Sequence, residues 1–128
     1  MIYRIQDSEG RGPFRPGMTM RWIRDEPDER LLPVYQDIPD LTERIRKAKD
    51  RIGGALYAGV ACRSPEQVAR WFNERERSTL EALGYRCVDA SRCQIIGEGQ
   101  MQIVVGWHLP LAFLPKAEWP SPSSRRAA

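Results

Sequence analysis

Several short stretches of this chain carry side chains able to do chemistry. Tyr3-Arg4 stands near its start, and an arginine offers a planar fork of donors that suits diphosphate or sugar oxygens, a role lysine fills less well. Arg4 equally suits a strand-borne pair with an acid such as Asp7. Tyr3, Phe14 and Tyr57 offer flat faces on which a ring can stack, or apolar bulk for a core. Ser64 carries a hydroxyl for sugar oxygens, and in Ser64-Pro65-Glu66-Gln67 it also reads as a helix N-cap worth about 1 kcal/mol. The run Gly97-Glu98-Gly99-Gln100-Met101-Gln102 brings one carboxylate and two amides together. A carboxylate there can stabilise the positive charge of an oxocarbenium-like state, which an amide cannot. Glu98 is that carboxylate, or else an exposed turn residue, and Gln100 and Gln102 are the alternative positions nearer the following strand.

These groups need elements to hold them. Met1-Ile2-Tyr3-Arg4-Ile5 reads as a strand with Ile2 and Arg4 on one face and Tyr3 and Ile5 on the other. The glycines and prolines from Asp7 to Gly17, Gly12 among them, predict a turn-rich loop straight after it. Residues 18–39 are polar and interrupted by prolines, with Trp22 and Tyr35 expected to pin an irregular excursion to the core. A helix is expected from an Asp40 cap, boxed by Glu43, with Leu41, Ile45, Ala48 and Ile52 as its stripe and Gly53-Gly54 as its end. Its charged side, from Glu43 to Arg51, reads as a solvated surface. Ala55 to Cys62 is apolar throughout and predicts a buried strand. A helix then starts at Ser64-Pro65 with Gln67 closing a capping box and Val68, Trp71 and Phe72 as its stripe. Asn73 with Glu76 opens a second one, which Gly84 stops. Tyr85 to Ala90, Gln94 to Ile96 and Met101 to Trp107 read as three paired strands, and the stretch from Pro115 as a flexible tail. The order fits a single α+β domain over residues 1–114 with a mixed or antiparallel sheet and about three short helices.

Composition narrows the functions. The 128 residues are 41% apolar and 29% charged, the proportions of one folded domain. Net charge is +3, of which Lys116, Arg125 and Arg126 against Glu118 place +2 in the final fifteen residues, so the remainder makes no strongly basic platform for nucleic acid. Apolar runs are too short to span a membrane and no signal-peptide pattern opens the chain, so a cytoplasmic protein is expected. Cys62, Cys87 and Cys93 form no CxxC pair and read as buried reduced thiols; with His108 they lack the paired spacing of a structural metal site, and no metal is expected. His108 has no GxSxG partner, and Gly10-Arg11-Gly12 lacks the third glycine of a dinucleotide fingerprint.

Read together, Tyr3-Arg4 with its glycine loop, Gly59-Val60-Ala61-Cys62-Arg63-Ser64-Pro65-Glu66-Gln67-Val68-Ala69, Leu83-Gly84-Tyr85-Arg86 and the Glu/Gln-rich approach to Ile103-Val104-Val105 resemble the small ADP-ribosyltransferase-like fold. The opening also resembles short bacterial and prophage proteins that begin YRxxDxxGRGPF. The resemblance spans roughly residues 2–107. It implies NAD as substrate, contacted by Tyr3, Arg4, Gly12, Phe14, Tyr57 and Ser64, and a catalytic carboxylate at Glu98, or at the positions of Gln100 or Gln102. The implied activity is mono-ADP-ribosylation of a macromolecular acceptor by a protein of phage or mobile-element origin. Two further readings stand beside it: a protein-binding inhibitor of a host defence complex, anti-CRISPR-like in action, and a weak nucleic-acid binder using residues 43–51 with Arg125 and Arg126.

Overall fold

Where the backbone hydrogen bonds go decides the architecture. In the computed structural model, which describes residues 1–14 and 32–120, the opening strand β1 (Tyr3–Gln6) pairs antiparallel with β3 (Arg86–Asp89), setting Arg4 opposite Val88. Strands β2 (Tyr57–Ala61), β5 (Ile103–Trp107) and β4 (Gln94–Glu98) form a second antiparallel sheet in the order β2-β5-β4, with a bulge between Ile95 and Gly97. One bridge joins the two sheets: Tyr3 N–H donates to the Cys62 carbonyl at 2.8 Å, and Cys62 N–H returns the bond at 2.7 Å. Beyond that bridge β1 and β2 part.

Four α-helices complete the α+β fold among the described residues: α1 (Val34–Asp37), α2 (Leu41–Ile52), α3 (Pro65–Trp71) and α4 (Glu74–Ala82). A 3-10 turn follows β5 at Leu111–Phe113. α2 lays Leu41 and Ala48 on Ile96 and Val104, covering one face of the second sheet. Ala61, Ile103 and Val105 on the opposite face pack with Val88, Leu111 and Leu114. α3 and α4 bury Val68, Phe72 and Leu80 against Ile5, Tyr85 and Cys87.

The two later caps form largely as expected. Ser64 accepts from Gln67 N–H at 3.2 Å, although the Gln67 side-chain Oε1 accepts from Arg63 N–H and so closes the box one residue early. Asn73 and Glu76 make the full reciprocal box. The expected box at α2 does not form: Asp40 makes no side-chain cap and pairs with Arg44, while Glu43 pairs with Arg46, because arginines one turn along each offer a charged partner. β2 is not the buried strand its composition predicts; Tyr57 and Val60, on opposite faces of it, are both exposed. Tyr35 is exposed on α1 and does not pin the excursion, and Trp22 lies outside the described residues. Residues 115–119, expected as the start of a tail, add to the β3 edge: Asp89 N–H donates to the Pro115 carbonyl, Ala117 N–H to the Cys87 carbonyl, and Trp119 is buried. Arg125 and Arg126 lie outside the described residues.

Candidate functional site

The site lies where β1 and β2 part. Val60 stands two residues before Cys62, so its carbonyl points to the same edge and toward β1, which is no longer close enough to pair with it. Arg4 fills the gap. Its Nη1 donates to the Val60 carbonyl at 2.8 Å, its Nη2 to the Gly10 carbonyl at 2.8 Å, and its Nε to Gln6 Oε1 at 2.9 Å. The guanidinium lies over Gly59, where a Cβ would come within 2.5 Å of Nη1 and 2.6 Å of Cζ, so a side chain there would displace the guanidinium from its carbonyl partners.

The loop after β1 supplies the Gly10 carbonyl, and Asp7 builds that loop. Its carboxylate accepts from the N–H groups of Glu9 and Arg11 and from Arg11 Nε, and Gly10 turns with φ of 85° against the backbone of Ala112. Burial raises the Asp7 carboxyl, but these donors outweigh it and hold the group below the usual range. Asp7 therefore pairs with Arg11 and not with Arg4. Arg4 is 6% exposed, and no carboxylate of the described residues stands at ion-pair distance from it. Burial pulls its pKa down to about 10, partly offset by Cys93 and Asp7, so it remains a cation at neutral pH.

Around this cation opens a cleft of about 530 Å³, within the roughly 300–1,000 Å³ range of small-molecule sites. Tyr3, Arg4 and Gly12 line one side, Gly59 to Cys62 another, and Phe14, Trp71 and Phe72 form an aromatic wall. Phe14 meets the Trp71 ring edge-on at 5.3 Å and stacks on Phe72 at 5.6 Å, with 48% of its surface still exposed. Gln102 lines the cleft from the start of β5; it is 3% exposed and its amide donates to the Leu32 carbonyl at 2.8 Å.

A family model described as Bacteriophage T4 Y00F protein matches residues 1–106. The chain belongs to that phage protein family. No curated protein and no solved structure matches it. The matched span of this family member includes all the described cleft-lining residues and the whole turn between β4 and β5.

That turn is built differently. Glu98 is exposed, does not line the cleft, and is held by the Arg63 guanidinium. The N–H groups of Gln100 and Met101 both donate to the Asp37 carboxylate, at 2.9 and 3.0 Å, so α1 already fills the concavity that this backbone offers an anion. Trp71 Nε1 and Gln67 Nε2 donate to the carbonyls of Met101 and Gln100.

Of the residues named from sequence, Tyr3, Arg4, Gly12, Phe14 and Gln102 meet in the cleft, whereas Tyr57, Ser64, Glu98 and Gln100 do not line it. Tyr57 is 41% exposed at the far end of β2, and Ser64 is engaged as the α3 cap. Sequence reasoning missed Gln6, Gly59 and the Trp71-Phe72 wall. A glycine inside a strand does signal close approach of another group, and Gln6 shares Arg4's face by the period-two rule. Trp71 and Phe72 carry no such signal, since helix-borne aromatics usually belong to a core.

Proposed function

We propose that this phage-family protein is ADP-ribosyltransferase-like and binds NAD in the cleft between β1 and β2. One observation carries the reading: a buried arginine with no acidic partner among the described residues shares a ligand-sized cleft with an aromatic wall. A cation over a glycine backbone suits diphosphate, and the exposed face of Phe14 suits a planar ring. Gln102 offers hydrogen bonds but no negative charge to an oxocarbenium-like state. The reading therefore assigns the cleft to binding, and transfer to a macromolecular acceptor depends on Glu98, whose carboxylate is held by Arg63 outside it.

Calorimetric titration with NAD tests this. Binding in the micromolar to millimolar range is expected, weakened about tenfold or more in Arg4→Ala, as loss of a charge-assisted hydrogen bond implies. Phe14→Ala, at an exposed position, serves where the arginine variant fails to fold. No heat at millimolar NAD overturns the reading. An acceptor labelled with ADP-ribose by the wild type and not by Glu98→Gln identifies a transferase, and absence of labelling identifies a binder.

Membership of a phage family favours a second reading, a non-catalytic inhibitor that contacts a host defence protein through its surface. It tolerates Arg4→Ala so long as the fold survives. Nucleic-acid binding through α2 has less support, because Arg44 and Arg46 are paired with Asp40, Glu43 and Asp50. Among the described residues no helix is long and apolar enough to cross a membrane.

A further inference from the structure

An arginine side chain has many rotamers, and a cleft that depends on one must restrict it. Gln6 does this from the same face of β1. It is 2% exposed, its Oε1 accepts from Arg4 Nε at 2.9 Å, and its Nε2 donates to the Leu111 carbonyl at 2.8 Å. The orientation of the amide is determined by its neighbours: a guanidinium only donates, a carbonyl only accepts, and a single side chain must satisfy both. Glutamate could serve Arg4 but would set its second oxygen against the Leu111 carbonyl, and an aliphatic side chain would serve neither. The remaining contacts, to Val60 and Gly10, occupy one N–H on each terminal nitrogen. Of the five N–H donors of a guanidinium, two are therefore left without an acceptor among the described residues, one on Nη1 and one on Nη2. A Cβ on Gly12 would lie 3.9 Å from both of these nitrogens, so that glycine borders the edge they form.

We propose that Gln6 is a positioning residue: it locks the Nε side of Arg4 to the 3-10 turn at Leu111–Phe113 so that the Nη1/Nη2 edge is presented to a ligand in the cleft. This rests on the cleft reading above, and its ligand is the one proposed there.

The test compares wild type, Gln6→Met and Gln6→Glu by NMR of arginine Nε–H groups, with the Arg4 signal assigned by its loss in Arg4→Lys, and by calorimetry with NAD. In the wild type the Arg4 Nε–H is expected to exchange slowly with solvent. Gln6→Met should shift that signal, speed its exchange and weaken NAD binding about tenfold. Gln6→Glu keeps the acceptor and should keep the protected signal while lowering thermal stability, and it serves if Gln6→Met fails to fold. An Nε–H signal unmoved in Gln6→Met, or lost in a folded Gln6→Glu, overturns the positioning role, and a fall in stability alone does not support it. If the signal moves as expected while the wild type shows no NAD binding, the positioning role stands and the proposed ligand falls.

Discussion

The cleft between β1 and β2 and the turn between β4 and β5 both carry polar residues of the types that act on ligands, yet they use them in opposite ways. In the cleft, Arg4 and Gln102 are buried and hydrogen-bonded largely to backbone carbonyls, so no acid among the described residues pairs with the arginine. In the turn, Glu98 is exposed and matched by Arg63, and the backbone N–H groups are matched by Asp37. A charge held by carbonyls keeps its attraction for an anion, whereas a charge held by its opposite has spent most of it, and water weakens what remains. The two regions are close along β5, and the difference lies in what faces them.

Gly59 is the position at which substitution should disturb the cleft most. Gly59→Val places a side chain where the guanidinium lies and should destabilise the fold by about 2–3 kcal/mol, read as a lower urea midpoint, with loss of NAD binding. An unchanged midpoint would show that Arg4 does not rest on that strand.

Alkali should act next, through the buried thiols of the two sheets that flank the cleft. Burial pushes the thiols of Cys62, in the cleft wall, and Cys87, on β3, up from 9.0 to about 12. Their folded pKa values exceed the unfolded ones, so the stability they contribute is complete below about pH 9 and is lost as pH rises toward 12. Denaturation midpoints should fall across that window, and both thiols should resist a thiol reagent at pH 8 until denaturant is added. Rapid labelling of the native protein would contradict their burial.

Gln102→Glu gives the cleft a carboxylate, which none of its described lining residues supplies. The new oxygen would face the Leu32 carbonyl, from which the amide Nε2 stands at 2.8 Å, and the Asp37 carboxylate, at 3.5 Å. A cost of about 2 kcal/mol at neutral pH is expected from calorimetric unfolding. A neutral or stabilising result would mean that the cleft accepts a negative charge at that wall.

The smallest effect belongs to the turn. Glu98→Gln removes an exposed ion pair and should change stability by about 0.5 kcal/mol or less, leaving NAD affinity as it was. A tenfold loss of affinity would bring Glu98 into the cleft and cancel the distinction between the two regions.

Much of this was legible in the chain. The caps at Ser64 and Asn73, the helix stop at Gly53, the three late strands as elements and the placing of Arg4 on a strand all follow from rules that act over a few residues; the pairing does not, since of the three late strands, expected to pair together, β3 pairs with β1 in the other sheet. Asp40 failed as a cap because a charged neighbour one turn away competed for it, which a capping rule does not weigh. Residues 115–119 looked like a tail because the β3 edge they join is distant in sequence. The match to a phage family bears out the expected phage origin.

The sequence by itself determined the α+β class, the element order and five of the residues that meet in the cleft, because periodicity, capping and turn chemistry are local. Only the tertiary structure decided which of the three late candidates lines that cleft, and it is Gln102 and not Glu98. It also decided that Arg4 rests on Gly59 and is oriented by Gln6. The physical reason is that partner choice is a competition in space: Arg63 reached Glu98, Asp37 reached the turn, and no acid among the described residues reached Arg4.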